Sequence, residues 1–244
     1  MSESNQHHKT RILSTREHHQ EDVDLFRSRG FQLFSYPMLS FEFPHPDDAQ
    51  LVGLRTINKT GWVITSKNGA RGLLNFLENE PGLPRPEAVV AVGHKTAEAL
   101  RSLNTEIRVP DLMNARGAAR LISKEYAHLS WIHFCGNLKR PELGWELAKR
   151  EIAYHPVEVY KTQKPEHMPD SLPLADAVLF YSPSAVSVWF EHFPNYINRN
   201  QPAVVAIGPS TERALLRHTN QPCHVAGEPE ITFMLEAVAK ALKE

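Results

Sequence analysis

The chain contains 244 residues, of which 41% are hydrophobic and 23% are charged, and its 27 basic and 28 acidic side chains leave a net charge of -1. This composition excludes a disordered chain, and the balanced charge without a basic stripe argues against a nucleic-acid-binding protein. Two cysteines, in no zinc or CxxC spacing, argue against a disulfide framework or a redox site.

The first nine residues are polar and lack the apolar core of a signal peptide, so we expect a disordered tail over 1–9. No apolar run reaches the ~18 residues of a membrane span, and we therefore expect a cytoplasmic protein that does not bind membranes. After the tail, a strand-helix unit is predicted over 11–30, followed by an extended segment over 31–37. Apolar runs rich in Val and Ile predict buried parallel strands, each followed by a polar turn and a helical pattern, at 61–65, 88–92, 177–181 and 203–207.

Three pairs of segments repeat along the chain at offsets of about 115–121 residues. The clearest pair is 88–100 with 203–215, the second is 62–70 with 178–185, and the weakest is 11–30 with 131–150. The repeat predicts two similar α/β lobes with parallel sheets. The matching of 11–30 with 131–150 further indicates that one lobe is inserted into the other. The predicted layout is lobe 1 from 10–36 and 163–244, lobe 2 from 42–155, and linker strands at 37–41 and 156–162.

Hydroxyl, amide and glycine residues follow the predicted strands, where open parallel sheets bind ligands. Helix N-termini at such turns carry unpaired N–H groups and a partial positive charge, so they bind anions without many basic residues. The alternative is that these Ser and Thr residues only cap helices, each contributing ~1 kcal/mol. Six such turns favour a polyanionic ligand bound in a cleft between the lobes, but any single turn leaves both interpretations open.

Several other site types are not supported by the sequence. Residues 93–96 resemble a phosphate-binding loop, but His94 interrupts the motif and Ala88 stands where its first glycine is needed. Thirteen histidines occur without an HExxH or HxH spacing, and no GxGxxG is present. Cys135 follows a predicted strand, where an inert buried thiol is the commoner role. We therefore expect no metal, nucleotide or dinucleotide site.

Tyr160 lies near the end of the predicted linker strand 156–162, in the run Val159-Tyr160-Lys161-Thr162. A phenol at that position can donate a proton or a hydrogen bond to a leaving oxygen. A packing or hinge tyrosine is the alternative, and position alone does not decide between them.

Taken together and in order, these segments resemble the uroporphyrinogen-III synthase family from Leu13 to Val238. The resemblance rests on the following set: Thr15-Arg16, Leu39 after Tyr36-Pro37, Thr65-Ser66 with Asn68, Val92-Gly93 through Thr96-Ala97, Gly136, Val159 to Thr162, Ser182 to Ala185, and Ile207-Gly208-Pro209 through Thr211. It implies two flavodoxin-like lobes joined by a two-stranded β-ladder. It also implies an enzyme, a cyclising lyase, that converts hydroxymethylbilane to uroporphyrinogen III with inversion of ring D and loss of water, without metal or cofactor.

Under this resemblance, Tyr160 is the candidate catalytic residue, and the strand-end turns hold the eight carboxylates of the substrate. The candidate substrate-binding residues are Thr15, Arg16, Thr65, Ser66, Asn68, Thr96, Gly136, Asn137, Lys161, Thr162, Ser182, Ser184, Ser210 and Thr211. Lys67 and Lys95 are additional candidate charges near these turns. We expect a monomer that receives its substrate from hydroxymethylbilane synthase in a transient hand-over.

Two alternatives belong to other functional classes. The first is a non-catalytic two-lobed module that binds anions or tetrapyrroles for regulation, since a fold does not determine a function. Retention of Tyr160 beside the hydroxyl-rich turns favours the enzyme. The second is a phosphorylatable receiver-like domain, which would need an acidic cluster at the strand ends that the sequence lacks.

Overall fold

The computed structural model describes residues 10–45, 48–80 and 82–243, so the predicted tail 1–9 lies outside the described residues. The strands are β1 (Thr10–Ser14), β2 (Phe31–Ser35), β3 (Ser40–Glu42), β4 (Thr60–Ile64), β5 (Ala88–Ala91), β6 (Ile107–Arg108), β7 (Ser130–Gly136), β8 (Tyr154–Gln163), β9 (Ala177–Phe180), β10 (Ala203–Ala206) and β11 (Cys223–Val225). The helices are α1 (Gln20–Ser28), α2 (Asp48–Thr56), α3 (Lys67–Asn79), α4 (His94–Ala99), α5 (Ala115–Glu125), α6 (Glu142–Ala148), α7 (Pro183–His192), α8 (Tyr196–Asn200), α9 (Pro209–Leu215) and α10 (Ile231–Ala241), with a 3-10 turn at Arg101–Leu103.

Contacts divide the chain into two compact units. The continuous unit is Phe41–Thr162, and the discontinuous unit combines the described parts of Met1–Ser40 and Gln163–Glu244. The lobe boundaries and the linker strands predicted from the sequence stay predictions. Within the described residues, 156–162 form part of β8.

The sheet of the discontinuous unit has five parallel strands in the order β11-β10-β9-β1-β2. Strand β9 is buried at every residue, because helices cover both faces of the sheet, as expected for a parallel strand. One face packs against the cluster that contains Trp189, and the other against the cluster that contains Met234. Counted along this unit, the strand order is the 2-1-3-4-5 of flavodoxin-like sheets.

The sheet of the continuous unit has six strands in the order β3-β8-β7-β4-β5-β6. The pairs from β8 to β6 are parallel. Phe76 and Phe134 belong to the apolar cluster on one face, and Trp131 belongs to the cluster on the other. No helix in the described part of the chain combines the length and the apolar character needed to cross a membrane.

The two sheets share one spatial order but start at different points along the chain. Strands β9, β10 and β1 of the discontinuous unit occupy the places that β4, β5 and β7 hold in the continuous unit. These are the three pairs of segments that repeat in the sequence, so the predicted internal repeat is confirmed. The predicted fold class, α/β with two parallel-sheet lobes, is confirmed as well.

The chain enters and leaves the continuous unit at two neighbouring strands, because β3 and β8 are hydrogen-bonded neighbours at one edge of the sheet. The Ser40 hydroxyl lies 3.5 Å from the carbonyl oxygen of Gln163 and 3.4 Å from that of Lys164. The two crossings of the chain are therefore held side by side.

Helix α3 approaches β8 closely because Gly72 lies at the contact. A Cβ at this position would lie 2.5 Å from the carbonyl oxygen of Val159, which is too close for any other residue. This close approach brings the N-terminus of α3 near the end of β8.

Candidate active site

The N-terminus of α3 carries the first group of the candidate site. Ser66 is the N-cap residue, and its Oγ accepts a hydrogen bond of 3.0 Å from the backbone N–H of Gly69. The same Oγ lies 3.2 Å from the phenol oxygen of Tyr160. Two of the predicted site residues, a helix-capping hydroxyl and the candidate acid, are therefore in direct contact.

Tyr160 is held in place from several sides. A register shift in the β7–β8 ladder pairs Cys135 with Glu158 and Gly136 with Tyr160, which re-aims the strand at this residue. The phenol ring covers Gly136 so closely that a Cβ there would lie 2.6 Å from the Cε2 atom of Tyr160. Only glycine is compatible with this ring position.

Asn137 and Thr162, both predicted to bind substrate, are hydrogen-bonded to each other. The side-chain amide of Asn137 donates to the carbonyl of Thr162 at 3.2 Å and accepts from its N–H at 2.9 Å. The backbone N–H of Asn137 also donates to the carbonyl of Tyr160 at 3.3 Å. These bonds fasten the turn after β7 to the end of β8 and fix the backbone that carries the phenol.

A cavity of about 630 Å³ opens beside Tyr160 within the continuous unit. Thr65, His133 and Tyr160 line it, together with three basic residues, Arg116, Lys139 and Arg140, and one carboxylate, Glu142. Lys139 forms an ion pair of 3.1 Å with Glu158. The excess of basic side chains makes the cavity suited to an anionic ligand.

His133 is the functional candidate that sequence reasoning missed. It lies within β7, it is 2% exposed, and both of its ring nitrogens have partners. Nε2 lies 3.0 Å from the Thr65 hydroxyl and Nδ1 lies 2.7 Å from the Tyr154 hydroxyl. Burial lowers the pKa of His133 to about 4, so the imidazole is neutral at pH 7. The available signal was a single histidine in the otherwise apolar run Trp131-Ile132-His133-Phe134.

The turns of the discontinuous unit hold a second group of predicted residues. Ser182 caps α7, and its Oγ accepts from the N–H of Ala185 at 3.1 Å. The Arg16 guanidinium lies 4.0 Å above the ring of Tyr181 and 3.7 Å from a carboxylate oxygen of Asp22. Thr15 is buried, and its hydroxyl donates to the carbonyl of Leu179 at 2.9 Å, which uses its only proton.

A Ser–His–Asp series also occurs in this unit. Ser14 Oγ lies 2.7 Å from His18 Nε2, and His18 Nδ1 lies 2.9 Å from Asp22 Oδ2. Burial lowers the pKa of His18, and the hydrogen bond to Asp22 opposes that effect. Ser14 is fully buried and also bonds to the backbone of Arg16, so the series holds the turn in place and exposes no nucleophile.

The remaining predicted residues differ in exposure. Thr96 and Thr211 are buried in the first turns of α4 and α9. Asn68 and Ser184 are half-buried, whereas Lys67, Lys95, Lys161 and Ser210 are exposed. Cys135 is buried, and burial raises the pKa of its thiol to about 12, so it is not a thiolate at pH 7. Among the described residues, no group of three or more His, Cys, Asp or Glu side chains could hold a metal ion.

The fold and the site together define a class of protein: two parallel-sheet lobes whose strand-end turns present hydroxyl groups at helix N-termini, with a fixed tyrosine at one of them. Solved structures show the same fold. A mutant uroporphyrinogen III synthase from the extremely thermophilic bacterium Thermus thermophilus is 18% identical, with a TM-score of 0.63 over 96% of this chain and 99% of that chain. The uroporphyrinogen-III synthetase from Helicobacter pylori 26695 is 16% identical, with a TM-score of 0.69 over 95% and 99%.

The sequence profile described as uroporphyrinogen-III synthase HemD matches residues 20–236. The chain belongs to the uroporphyrinogen-III synthase family, whose enzymes are lyases that cyclise hydroxymethylbilane in tetrapyrrole biosynthesis. The family and the function predicted from the sequence are confirmed at this level.

Proposed function

We propose that this chain forms uroporphyrinogen III with Tyr160 assisting departure of the hydroxyl group of hydroxymethylbilane. The observation that carries this assignment is that the phenol of Tyr160 contacts Ser66 and lines a basic cavity. Ser66 Oγ already accepts the N–H of Gly69, so its own proton is available for the phenol oxygen. The phenol proton is then free to point into the cavity.

The chemistry asked of the phenol is modest. When the hydroxymethyl C–O bond breaks, the electron pair of the adjacent pyrrole nitrogen replaces it and an azafulvene forms. The departing oxygen takes a proton and leaves as water, and the pyrrole N–H proton is lost. A hydrogen bond from Tyr160 to that oxygen stabilises the charge that develops on it. Most of the rate enhancement comes from holding the two ends of the bilane together, so that ring D is inverted through a spirocyclic pyrrolenine.

The proposed carboxylate contacts divide by exposure. Asn68, Ser182, Ser184 and Ser210, with the backbone N–H groups beside them, bind acetate and propionate groups directly, whereas the hydroxyl of Ser66 is used by the phenol of Tyr160. Three buried threonines, Thr15, Thr96 and Thr211, act by holding the backbone of their turns. Arg16, Lys161 and the basic residues of the cavity supply charge, and Gly136, Asn137 and Thr162 support the phenol.

The deciding experiment is a coupled assay. Hydroxymethylbilane is made in place by hydroxymethylbilane synthase, the products are oxidised, and the porphyrin isomers are separated. The bilane closes without an enzyme to isomer I, which serves as the blank. We expect predominant isomer III with the wild-type chain, and a kcat lower by about 10- to 100-fold for Tyr160→Phe.

Two outcomes count against the proposal. Isomer I alone from folded protein would reject the synthase, and tight binding of the porphyrinogen in that case would favour the regulatory module. Isomer III at an unchanged rate from Tyr160→Phe would keep the synthase and remove the phenol from its chemistry.

The proposal extends to the setting of the enzyme. The chain acts as a monomer in the cytoplasm and receives hydroxymethylbilane from hydroxymethylbilane synthase. Sedimentation of the chain alone tests the monomer, and sedimentation with that enzyme tests the hand-over, because a hand-over complex adds a faster-sedimenting species.

A further inference from the structure

The hydrogen-bond chain Tyr154–His133–Thr65 runs from the half-buried Tyr154, through the buried His133, to Thr65 at the wall of the cavity. Both ring nitrogens of His133 are used, and its neutral imidazole has one N–H donor and one acceptor nitrogen. Which groups donate and which accept along Tyr154–His133–Thr65 therefore depends on which ring nitrogen of His133 carries the proton. Thr65 lies at the cavity end of this series and is one of the residues that line the cavity.

The two distances indicate the direction. Hydrogen bonds donated by O–H groups are typically about 2.7–2.8 Å long, whereas those donated by N–H groups are about 2.9–3.0 Å. The Tyr154–Nδ1 distance of 2.7 Å fits a phenol that donates to an unprotonated nitrogen. The Nε2–Thr65 distance of 3.0 Å fits an imidazole N–H that donates to the hydroxyl oxygen.

This direction determines what Thr65 offers to a ligand. If Nε2–H occupies a lone pair of the Thr65 oxygen, the hydroxyl proton is left to point away from His133, towards the cavity. An anionic group accepts such a proton, and Arg116 and Arg140 line the same cavity. With the opposite tautomer, Thr65 would donate to His133 and present only lone pairs, which repel a carboxylate.

We propose that His133 is a positioning residue, held as its Nε2–H tautomer by Tyr154, which turns Thr65 into a hydrogen-bond donor for a substrate carboxylate. This inference rests on the proposed function for the identity of the ligand. His133 itself touches neither the reacting atoms nor the carboxylate. Its contribution is to substrate binding, and the rate of ring closure is left unchanged.

The first test reads the tautomer directly and needs no activity. Long-range nitrogen–proton NMR spectra of the ¹⁵N-labelled full chain distinguish a protonated Nε2 from a protonated Nδ1 at pH 7.5. His133→Gln identifies the resonances by their loss. A protonated Nε2 with unprotonated Nδ1 is the expected result, and a protonated Nδ1 would overturn the inference. Tyr154→Phe removes the donor to Nδ1 and is expected to mix the two forms.

The second test uses two matched variants. In His133→Gln the side-chain amide nitrogen takes the place of Nε2 and still donates to Thr65, whereas in His133→Asn the shorter side chain does not reach. We expect His133→Asn to raise KM about 10-fold with little change in kcat, and His133→Gln to restore most of the affinity. Equal KM values for the two variants would overturn the inference.

A double variant separates positioning from general damage to the fold. Thr65→Val removes the hydroxyl on which His133 acts and is expected to raise KM by about 10-fold. Adding His133→Asn to Thr65→Val should then change KM no further, whereas additive effects would overturn the inference. Failure of the proposed function is a separate result, because it would appear as isomer I alone from the wild-type chain, whatever the tautomer.

Discussion

The turns after β4 and β9 have nearly the same backbone but different neighbours. Ser66 and Ser182 cap their helices with the same geometry, with φ and ψ of -152° and 158° for the first and -164° and 157° for the second. Ser66 meets the phenol of Tyr160, while the ring of Tyr181, beside Ser182, is covered by the guanidinium of Arg16. One repeated element thus places a hydroxyl against a phenol in one unit and an aromatic ring against a guanidinium in the other.

The same comparison extends one strand further. In the ladder registers, His133 pairs with Val63 of β4, and Ser14 pairs with Leu179 of β9. When Ser66 is aligned with Ser182, these two pairs coincide, so His133 occupies the place of Ser14. The discontinuous unit has a buried serine where the continuous unit has a buried imidazole that reaches a cavity. The two units share the capped turns, and they differ in the side chains packed behind them.

The largest expected effect of having His133 in place of a buried serine is a loss of stability at acidic pH. The pKa of His133 falls from an ordinary value near 6.5 to about 4 on folding, so between these values the unfolded chain binds a proton that the native chain does not. The free energy of unfolding is therefore expected to fall by about 3 kcal/mol from this residue as the pH is lowered from 7.5 to 4. Urea denaturation at several pH values measures the decline.

His133→Gln should make that decline shallower, even though the variant is less stable at pH 7.5. His18→Gln is the matched control, because Asp22 opposes the effect of burial on His18 and leaves a smaller contribution. If the free energy of unfolding of His133→Gln fell with pH as steeply as that of the wild type, the acid sensitivity would not come from this residue.

Gly136→Ala tests whether the ring position of Tyr160 matters. The new Cβ would lie 2.6 Å from the Cε2 atom of the ring, so the phenol must move. We expect kcat to fall by at least as much as in Tyr160→Phe, about 10- to 100-fold, which corresponds to about 1.4–2.7 kcal/mol of transition-state stabilisation.

Gly53→Ala is the control for that variant, because a Cβ there meets nothing within 4 Å. It should leave kcat unchanged. Full activity of Gly136→Ala would show that the phenol is not required in its observed place.

Ser66→Ala and Ser182→Ala compare the two caps directly. Each removes one N-terminal hydrogen bond and should lower the free energy of unfolding by ~1 kcal/mol. Only Ser66→Ala also removes the contact with Tyr160, so we expect its kcat to fall several-fold further than that of Ser182→Ala. Equal kcat values for the two variants would remove the functional difference between the turns.

Arg16→Lys should have the smallest effect. Lysine keeps the charge but loses the planar contact with Tyr181, and such exposed cation–π contacts contribute about 0.5–1 kcal/mol. A loss of stability in that range with a slight rise in KM is expected from urea denaturation and steady-state assays. A fall in kcat comparable with that of Gly136→Ala would move Arg16 into the chemistry.

The sequence predicted what depends on local pattern. Apolar runs predicted the buried strands and the helical segments that follow them, and the repeats predicted the matching of β1 with β7. The two-residue β6, the three-residue β11 and helix α2 went unpredicted. The two strands are too short to carry a periodicity and are formed by packing.

The site was predictable only in part, since contacts across strands leave no local signature. Ser66 and Tyr160 were identified one by one, but their contact depends on the register shift at Gly136. His133 was missed because a histidine in a buried strand is recognisable as functional only when its partners, Thr65 and Tyr154, are in view.

The pairing of β3 with β8 has a consequence for the order of folding. Residues 41–162 interrupt the discontinuous unit with about 120 residues, and closing an unstructured loop of that length costs about 4 kcal/mol of chain entropy. Once the continuous unit has folded, its sheet already holds Ser40 beside Gln163 and Lys164, so the remaining strands assemble as if joined by a short turn. The folded insertion therefore lowers the entropy cost of assembling the unit that it divides.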